Sequence, residues 1–145
     1  MSLVTYSNMN FREAIQSDLD YLADHSVSRG IQSKQPSAIE YLYTLEHEGV
    51  PLGVGGFRLI NLTTAWCWVN LSDKMKHGHV IPTYRVIKEW IEMFTKEHGI
   101  KRLQAYVEVD FPEAIRMVEH LGFEQESIMK NFVGDKDAAM FVRII

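Results

Sequence analysis

The stretch Thr64–Gly99 constrains what this 145-residue chain can fold into more than any other. It reads as a strand, a short basic loop and one long helix. The run TTAWCWVNLS, which holds Thr64–Leu71, is apolar and aromatic at both alternating sets of positions. That pattern predicts a strand covered on both faces. SDKMKHGHV (Ser72–Val80) then gathers Lys74, Lys76, His77, Gly78 and His79. In the helix that follows, Tyr84, Ile87, Ile91 and Phe94 recur at three- and four-residue spacing, and His98-Gly99 is its stop signal. A strand feeding through a basic, glycine-containing turn into a helix N-terminus directs several backbone N–H groups at one spot. Such a spot favours an anion, above all a phosphate. An ordinary strand-to-helix connection with solvated lysines is the alternative reading of the same residues.

Charge and length narrow the classes. The length predicts one domain over residues 1–145 with a sizeable core, and the 46% hydrophobic content predicts a globular chain. A net charge of -4 argues against a broad nucleic-acid or anionic-membrane surface, while the local cations around 74–88 still suit a small anionic ligand. The single Cys67 excludes an internal disulfide and suits a reducing compartment. No apolar run of membrane-spanning length and no leader pattern is present, so a cytoplasmic protein is expected.

Residues 1–10 are polar and are expected to fray, with a short strand over Phe11–Ala14. Ser17-Asp18-Leu19-Asp20 reads as a helix start capped by the serine. SVSRGIQSKQPS (Ser26–Ser37) reads as a loop or a broken helix and is the candidate for a mobile cover over a site. Ile39, Tyr41, Tyr43 and Leu45 alternate with polar residues, His47-Glu48-Gly49 turns, and PLGVGGFRL (Pro51–Leu59) returns as a hairpin strand. Gly53, Gly55 and Gly56 lack the following helix that a nucleotide loop requires, so close backbone packing in the sheet is expected of them. After Gly99, Leu103, Ala105, Val107 and Val109 alternate with Gln104, Tyr106 and Glu108, a strand expected to lie parallel to Thr64–Leu71. Asp110-Phe111-Pro112-Glu113 matches a capping box for a short helix ended by Gly122, and a hairpin around Val133-Gly134-Asp135 closes the chain. The order β-α-β-β-β-α-β-α-β-β predicts an α+β domain with a mixed, mostly antiparallel sheet flanked by helices.

That order, together with AIRMVEHLGF (Ala114–Phe123), resembles the GNAT superfamily of acyl-CoA-dependent N-acyltransferases. Ala114, Ile115, Glu119, Gly122 and Phe123 fit a stretch that members often carry after their fifth strand. GVPLGVGG followed by WCWVNLSD is similar, more narrowly, to the GNAT-like internal virion proteins of short-tailed phages. The resemblance implies a GNAT-like sheet whose fourth and fifth strands part to admit the arm of acetyl-CoA or another acyl-CoA as co-substrate. It implies that the backbone of Val69, Asn70 and Leu71 pairs with that arm. The diphosphate falls to Lys76, His77, Gly78, His79 and Val80. In the family's loop pattern Met75 stands for the leading Gln or Arg and Val80 for the last small residue. Val118 stands where a tyrosine often serves as general acid, and Phe111 where asparagine is common. Between Arg58 and Ser72 no glutamate offers a base, so Glu108 comes first and Asp73 second for that role. Glu108 has an alternative reading as a solvent-facing strand residue.

Other constellations are thin. His77-x-His79 lacks further ligands at convincing spacing, so no metal site is expected. Cys67 reads as buried and inert, and Trp66, Trp68 and Trp90 as core or interface residues. Two functions stay open. One is an N-acyltransferase acting on a small-molecule or protein amine. The other is a fold-retaining structural or partner-binding protein, such as a virion component. Neither calls for nucleic acid or membrane, and homodimerisation is left open.

Overall fold

The computed structural model describes residues 2–6, 9–25 and 40–145. Its strands are β1 (Ser2–Tyr6), β2 (Met9–Glu13), β3 (Glu40–His47), β4 (Val50–Leu59), β5 (Thr64–Leu71), β6 (Arg102–Glu108), β7 (Glu124–Val133) and β8 (Lys136–Ile144). The helices are α1 (Gln16–His25), α2 (Val80–His98) and α3 (Pro112–His120), with one tight 3-10 turn, His77–His79, leading into α2. The sheet runs β1-β2-β3-β4-β5-β6-β8-β7. β5 and β6 pair in parallel through Thr64↔Arg102, Ala65↔Leu103 and Trp66↔Gln104, as the helix crossover predicts. The pairs β1–β2, β2–β3, β3–β4, β6–β8 and β7–β8 are antiparallel. The expected mixed, mostly antiparallel α+β architecture is therefore the observed one.

The N-terminus corrects an expectation. Ser2–Tyr6 does not fray but forms β1, paired with β2 around Tyr6↔Met9. Val4, Thr5 and Tyr6 are strand formers, and the ladder to β2 satisfies the backbone groups of the segment. The candidate cover Ser26–Ser37 lies outside the described residues.

The chain forms two compact units. In the first, Met1–Arg58 with Trp68–Trp90, the period-two alternation of the strands separates two faces. Leu19 and Leu22 of α1 pack with Val54, and Leu42 and Trp68 lie against that cluster. Trp90 of α2 meets Phe11, Tyr43 and Phe57 at ring-centroid distances of 5.3, 5.0 and 4.4 Å. The glycines of β4 behave as expected. A Cβ at Gly55 would stand 2.9 Å from the Trp68 carbonyl and 3.2 Å from the Trp90 ring. α1 starts at Gln16, one residue before the predicted cap Ser17. The buried Asp18 accepts the Ile15 N–H at 2.9 Å instead.

In the second unit, Leu59–Cys67 with Ile91–Ile145, Leu103, Ala105 and Val107 of β6 are buried as the alternation predicts. Val109, expected to continue that stripe, lies beyond the strand end and is exposed. α2 ends at Gly99 (φ +66°), where the Ile100 N–H reaches the Thr95 carbonyl. Gly122 (φ +90°) ends α3 in a Schellman arrangement, with the Phe123 N–H on Val118 and the Gly122 N–H on Glu119. The expected cap by Asp110 is not made. Phe111 is the N-cap without a side-chain bond, and Asp110 accepts from the Lys136 ammonium at 2.9 Å, a stronger charge-assisted partner.

Candidate active site

β5 is less covered than its apolar sequence predicts: Ala65 and Asn70 are buried and the other six residues half-buried. Two indoles on one strand are too large to cover completely. Val69 and Leu71 turn their side chains into the first unit, where they line a cavity of about 20 Å³ with Thr83 and Trp90 of α2. Asn70 is fully buried.

The loop after β5 is tied down at its start. The Ser72 N–H donates to the Leu52 carbonyl at 2.8 Å, the Asp73 N–H to the His25 carbonyl at 2.9 Å, and the Lys74 N–H to Ser72 Oγ at 3.0 Å. The Asp73 side chain is exposed, as are Lys76, His77 and Gly78. His79 closes the turn from below: its Nδ1 accepts the Lys76 N–H at 3.0 Å, and its ring lies 4.8 Å from that of His47. Partial burial, then His47 and Lys76, hold the His79 pKa below its ordinary value. The Lys76 N–H is thus already used. His77 and Gly78 follow at the first turn, where helix geometry leaves N–H groups without intrahelical acceptors. Val80, named with this loop, is half exposed and opens α2. His47 was missed at the sequence level. Only the antiparallel return of β3 brings it beside a residue 32 positions later.

In the second unit Glu108 is only 7% exposed, which overturns its reading as a solvent-facing strand residue. Its Oε1 has no hydrogen-bond partner among the described residues, and its Oε2 lies 4.0 Å from Lys136 Nζ. Burial, then the Glu108 charge, push the Tyr106 phenol above its usual range, so the phenol stays neutral. Tyr106 contacts Trp66 and Phe132 edge to face, at 6.0 and 4.7 Å. Lys136 and Tyr106 were not singled out in the sequence. The alternation did place Tyr106 on the Glu108 face, but Lys136 arrives only through the β8 register Glu108↔Ala138.

Two further features bear on chemistry. Burial pushes the Cys67 thiol up to about 12, although the residue as a whole is half-buried, so it is no nucleophile. A groove of about 280 Å³ in the first unit is lined by Glu13, Ala14, Glu40, Tyr41, Leu42 and Tyr43. Among the described residues no group of three or more His, Cys, Asp or Glu is placed to hold a metal ion. No helix among them is long and apolar enough to cross a membrane.

No family model matches the chain, and no curated protein matches its sequence. Solved structures do match in fold. A mutant of spermidine N-acetyltransferase from Vibrio cholerae superposes with a TM-score of 0.78 at 15% identity, over 96% of this chain and 95% of that one. The ribosomal-protein-S18-alanine N-acetyltransferase from Escherichia coli gives 0.75 at 15% identity, over 94% of both chains. The ribosomal-protein-S5-alanine acetyltransferase from Vibrio fischeri gives 0.75 at 12%, over 99% and 96%. The architecture is that of the GNAT N-acetyltransferases.

Proposed function

We propose that the chain is an acyl-CoA-dependent N-acyltransferase that passes an acyl group, acetyl in the simplest case, directly to a substrate amine. The observation that carries this reading is the likeness in fold, over more than nine-tenths of both chains, to enzymes named for acetyl transfer to spermidine and to ribosomal-protein alanine. A fold alone hosts many chemistries, so the residues must also suit the reaction.

The donor set fits an acyl-CoA. Lys76 and the N–H groups of His77 and Gly78 suit a diphosphate, whereas the N–H groups of His79 and Val80 already donate to the Lys76 and His77 carbonyls. The backbone of Val69, Asn70 and Leu71 suits the amides of the pantetheine arm. When bound, acetyl-CoA supplies a thioester carbonyl and a thiolate leaving group. The Val69–Leu71 backbone would orient that carbonyl and polarise it. Glu108 takes the proton of the acceptor ammonium, directly or through one water, with Asp73 as the second candidate. The carboxylates of Glu13 and Glu40 at the larger groove suit a cationic acceptor. Positioning provides much of the rate in such a direct transfer, so a missing general acid is not fatal.

A second reading is favoured by Val118, which is buried where the resemblance leads to a tyrosine acid. In that reading the chain keeps the fold as a structural or partner-binding protein, such as a virion component, without turnover. Titration calorimetry with acetyl-CoA separates the two. Micromolar binding weakened by Lys76→Ala, with spermidine or peptide-amine acetylation reduced in Glu108→Gln, is the expected result. No heat at millimolar acetyl-CoA overturns the enzyme reading.

A further inference from the structure

Two buried polar atoms on α2, Thr83 Oγ1 and Trp90 Nε1, find no hydrogen-bond partner among the described residues, and each residue is 3% exposed. They lie seven residues apart, on nearly the same side of the helix. Both residues line the cavity of about 20 Å³ beneath Val69 and Leu71. Its wall as a whole is almost wholly apolar and about half open rather than sealed, with Phe11 and Val54 among the lining residues.

A buried indole N–H and a buried hydroxyl left unpaired are both costly, and native interiors pair such groups with protein or with water. The cavity cannot hold a cofactor fragment, but it matches the roughly 10–15 Å³ of probe volume that a single water requires. A purely apolar cavity of this size stays dry; one carrying a donor and a hydroxyl does not. Trp90 is itself immobilised by Phe11, Tyr43 and Phe57, so its N–H cannot turn elsewhere for a partner.

We propose that this half-open cavity is an ordered water site. The water accepts a hydrogen bond from Trp90 Nε1–H and is held by Thr83 Oγ1, joining the first turn of α2 to its middle. The site is independent of the acyl-transfer reading and belongs to the core of the first unit.

Water–protein NOE and ROE spectra of the full chain, with the indole nitrogens labelled, test it. The Trp90 indole proton, assigned by Trp90→Phe, is expected to show cross-peaks of opposite sign at the water frequency. That pattern marks a long-held water and cannot come from direct exchange of the indole proton with solvent. Thr83→Val is expected to abolish the cross-peak and to raise the unfolding constant about fivefold, whereas Thr83→Ser retains both signal and stability. Absence of the cross-peak in the unaltered protein overturns the proposal without need of any variant. A Thr83→Val chain that is more stable than the parent overturns it too, because a dry cavity gains from losing an unpaired hydroxyl. A cross-peak that persists in Thr83→Val removes Thr83 from the site.

Discussion

The guanidinium of Arg12 holds both oxygens of the Asp18 carboxylate, Nη1 to Oδ2 at 2.7 Å and Nη2 to Oδ1 at 2.8 Å. Asp18 is 3% exposed, and it also accepts from the Ile15 N–H and from Thr44 Oγ1, each at 2.9 Å. Arg12 Nε reaches on to Glu46 at 3.1 Å. The start of α1 is thereby fastened to β2 and β3 by a charge network rather than by a serine cap.

This network predicts an acid-sensitive component of stability. Burial by itself raises the Asp18 carboxyl, but the bonds from Arg12, Ile15 and Thr44 outweigh it and hold the pKa below its ordinary value. A carboxyl depressed on folding stabilises above its unfolded pKa of about 3.9, and that contribution is lost as the pH falls through the lower folded value. Urea titrations against pH are expected to show this loss in the parent chain and a flatter acid limb in Asp18→Asn.

Removing one partner at a time ranks the contacts. Arg12→Met leaves a buried carboxylate without its counter-charge and is expected to cost about 3–5 kcal/mol. Thr44→Val removes one hydrogen bond and costs about 1 kcal/mol. Equal urea midpoints for the two variants would contradict the account.

Gly55 is required by space. A methyl there meets the Trp68 carbonyl at 2.9 Å and the Trp90 ring at 3.2 Å, and neither is free to yield. Gly55→Ala is expected to destabilise by about 1–3 kcal/mol in urea unfolding. Gly78→Ala, where a Cβ meets nothing within 4 Å, serves as the near-neutral comparison.

His79 gives the loop before α2 a pH response. Only the neutral ring can accept the Lys76 N–H at Nδ1. Because the folded pKa is lowered, the contribution is complete above the unfolded value of about 6.5 and is lost as the pH falls through the lower folded one. Hydrogen exchange at the Lys76 amide is expected to lose protection between neutral and mildly acidic pH. In His79→Phe protection is low throughout; protection unchanged by pH in the parent chain would refute the capping role.

Cys67 is expected to be chemically silent. With the thiol pushed up to about 12, its thiolate fraction at pH 8 is roughly a thousandfold below that of an unfolded cysteine. Reaction with iodoacetamide should therefore be slow in the native protein and rapid in urea. Comparable rates in both states would show that the thiol is not buried.

The elements that sequence reasoning placed well share one property: their signals are local. The α2 stripe of Ile87, Ile91 and Phe94, the Gly99 and Gly122 stops, and the Glu48-Gly49 turn at positive φ each depend on residues within a turn of one another. The capping assignments failed where a distant partner competed. Asp110 left its helix for Lys136, 26 positions away, and Asp18 displaced Ser17 through bonds to Arg12 and Thr44. The N-terminal strand was missed for a different reason: Val4, Thr5 and Tyr6 are strand formers, and reading residues 1–10 as polar passed over them.

The chain's periodicity, its turn residues and its strand–loop–helix core thus determined the α+β order and the likeness to an N-acyltransferase fold. Periodicity says which face a side chain occupies but not what covers that face. Tertiary packing alone decided that Glu108 is buried with one oxygen unpaired among the described residues, that His79 lies against His47, and that Thr83 and Trp90 line one cavity. The physical reason is that burial and charge pairing are set by residues far apart in sequence, whereas helix and turn signals are set by neighbours.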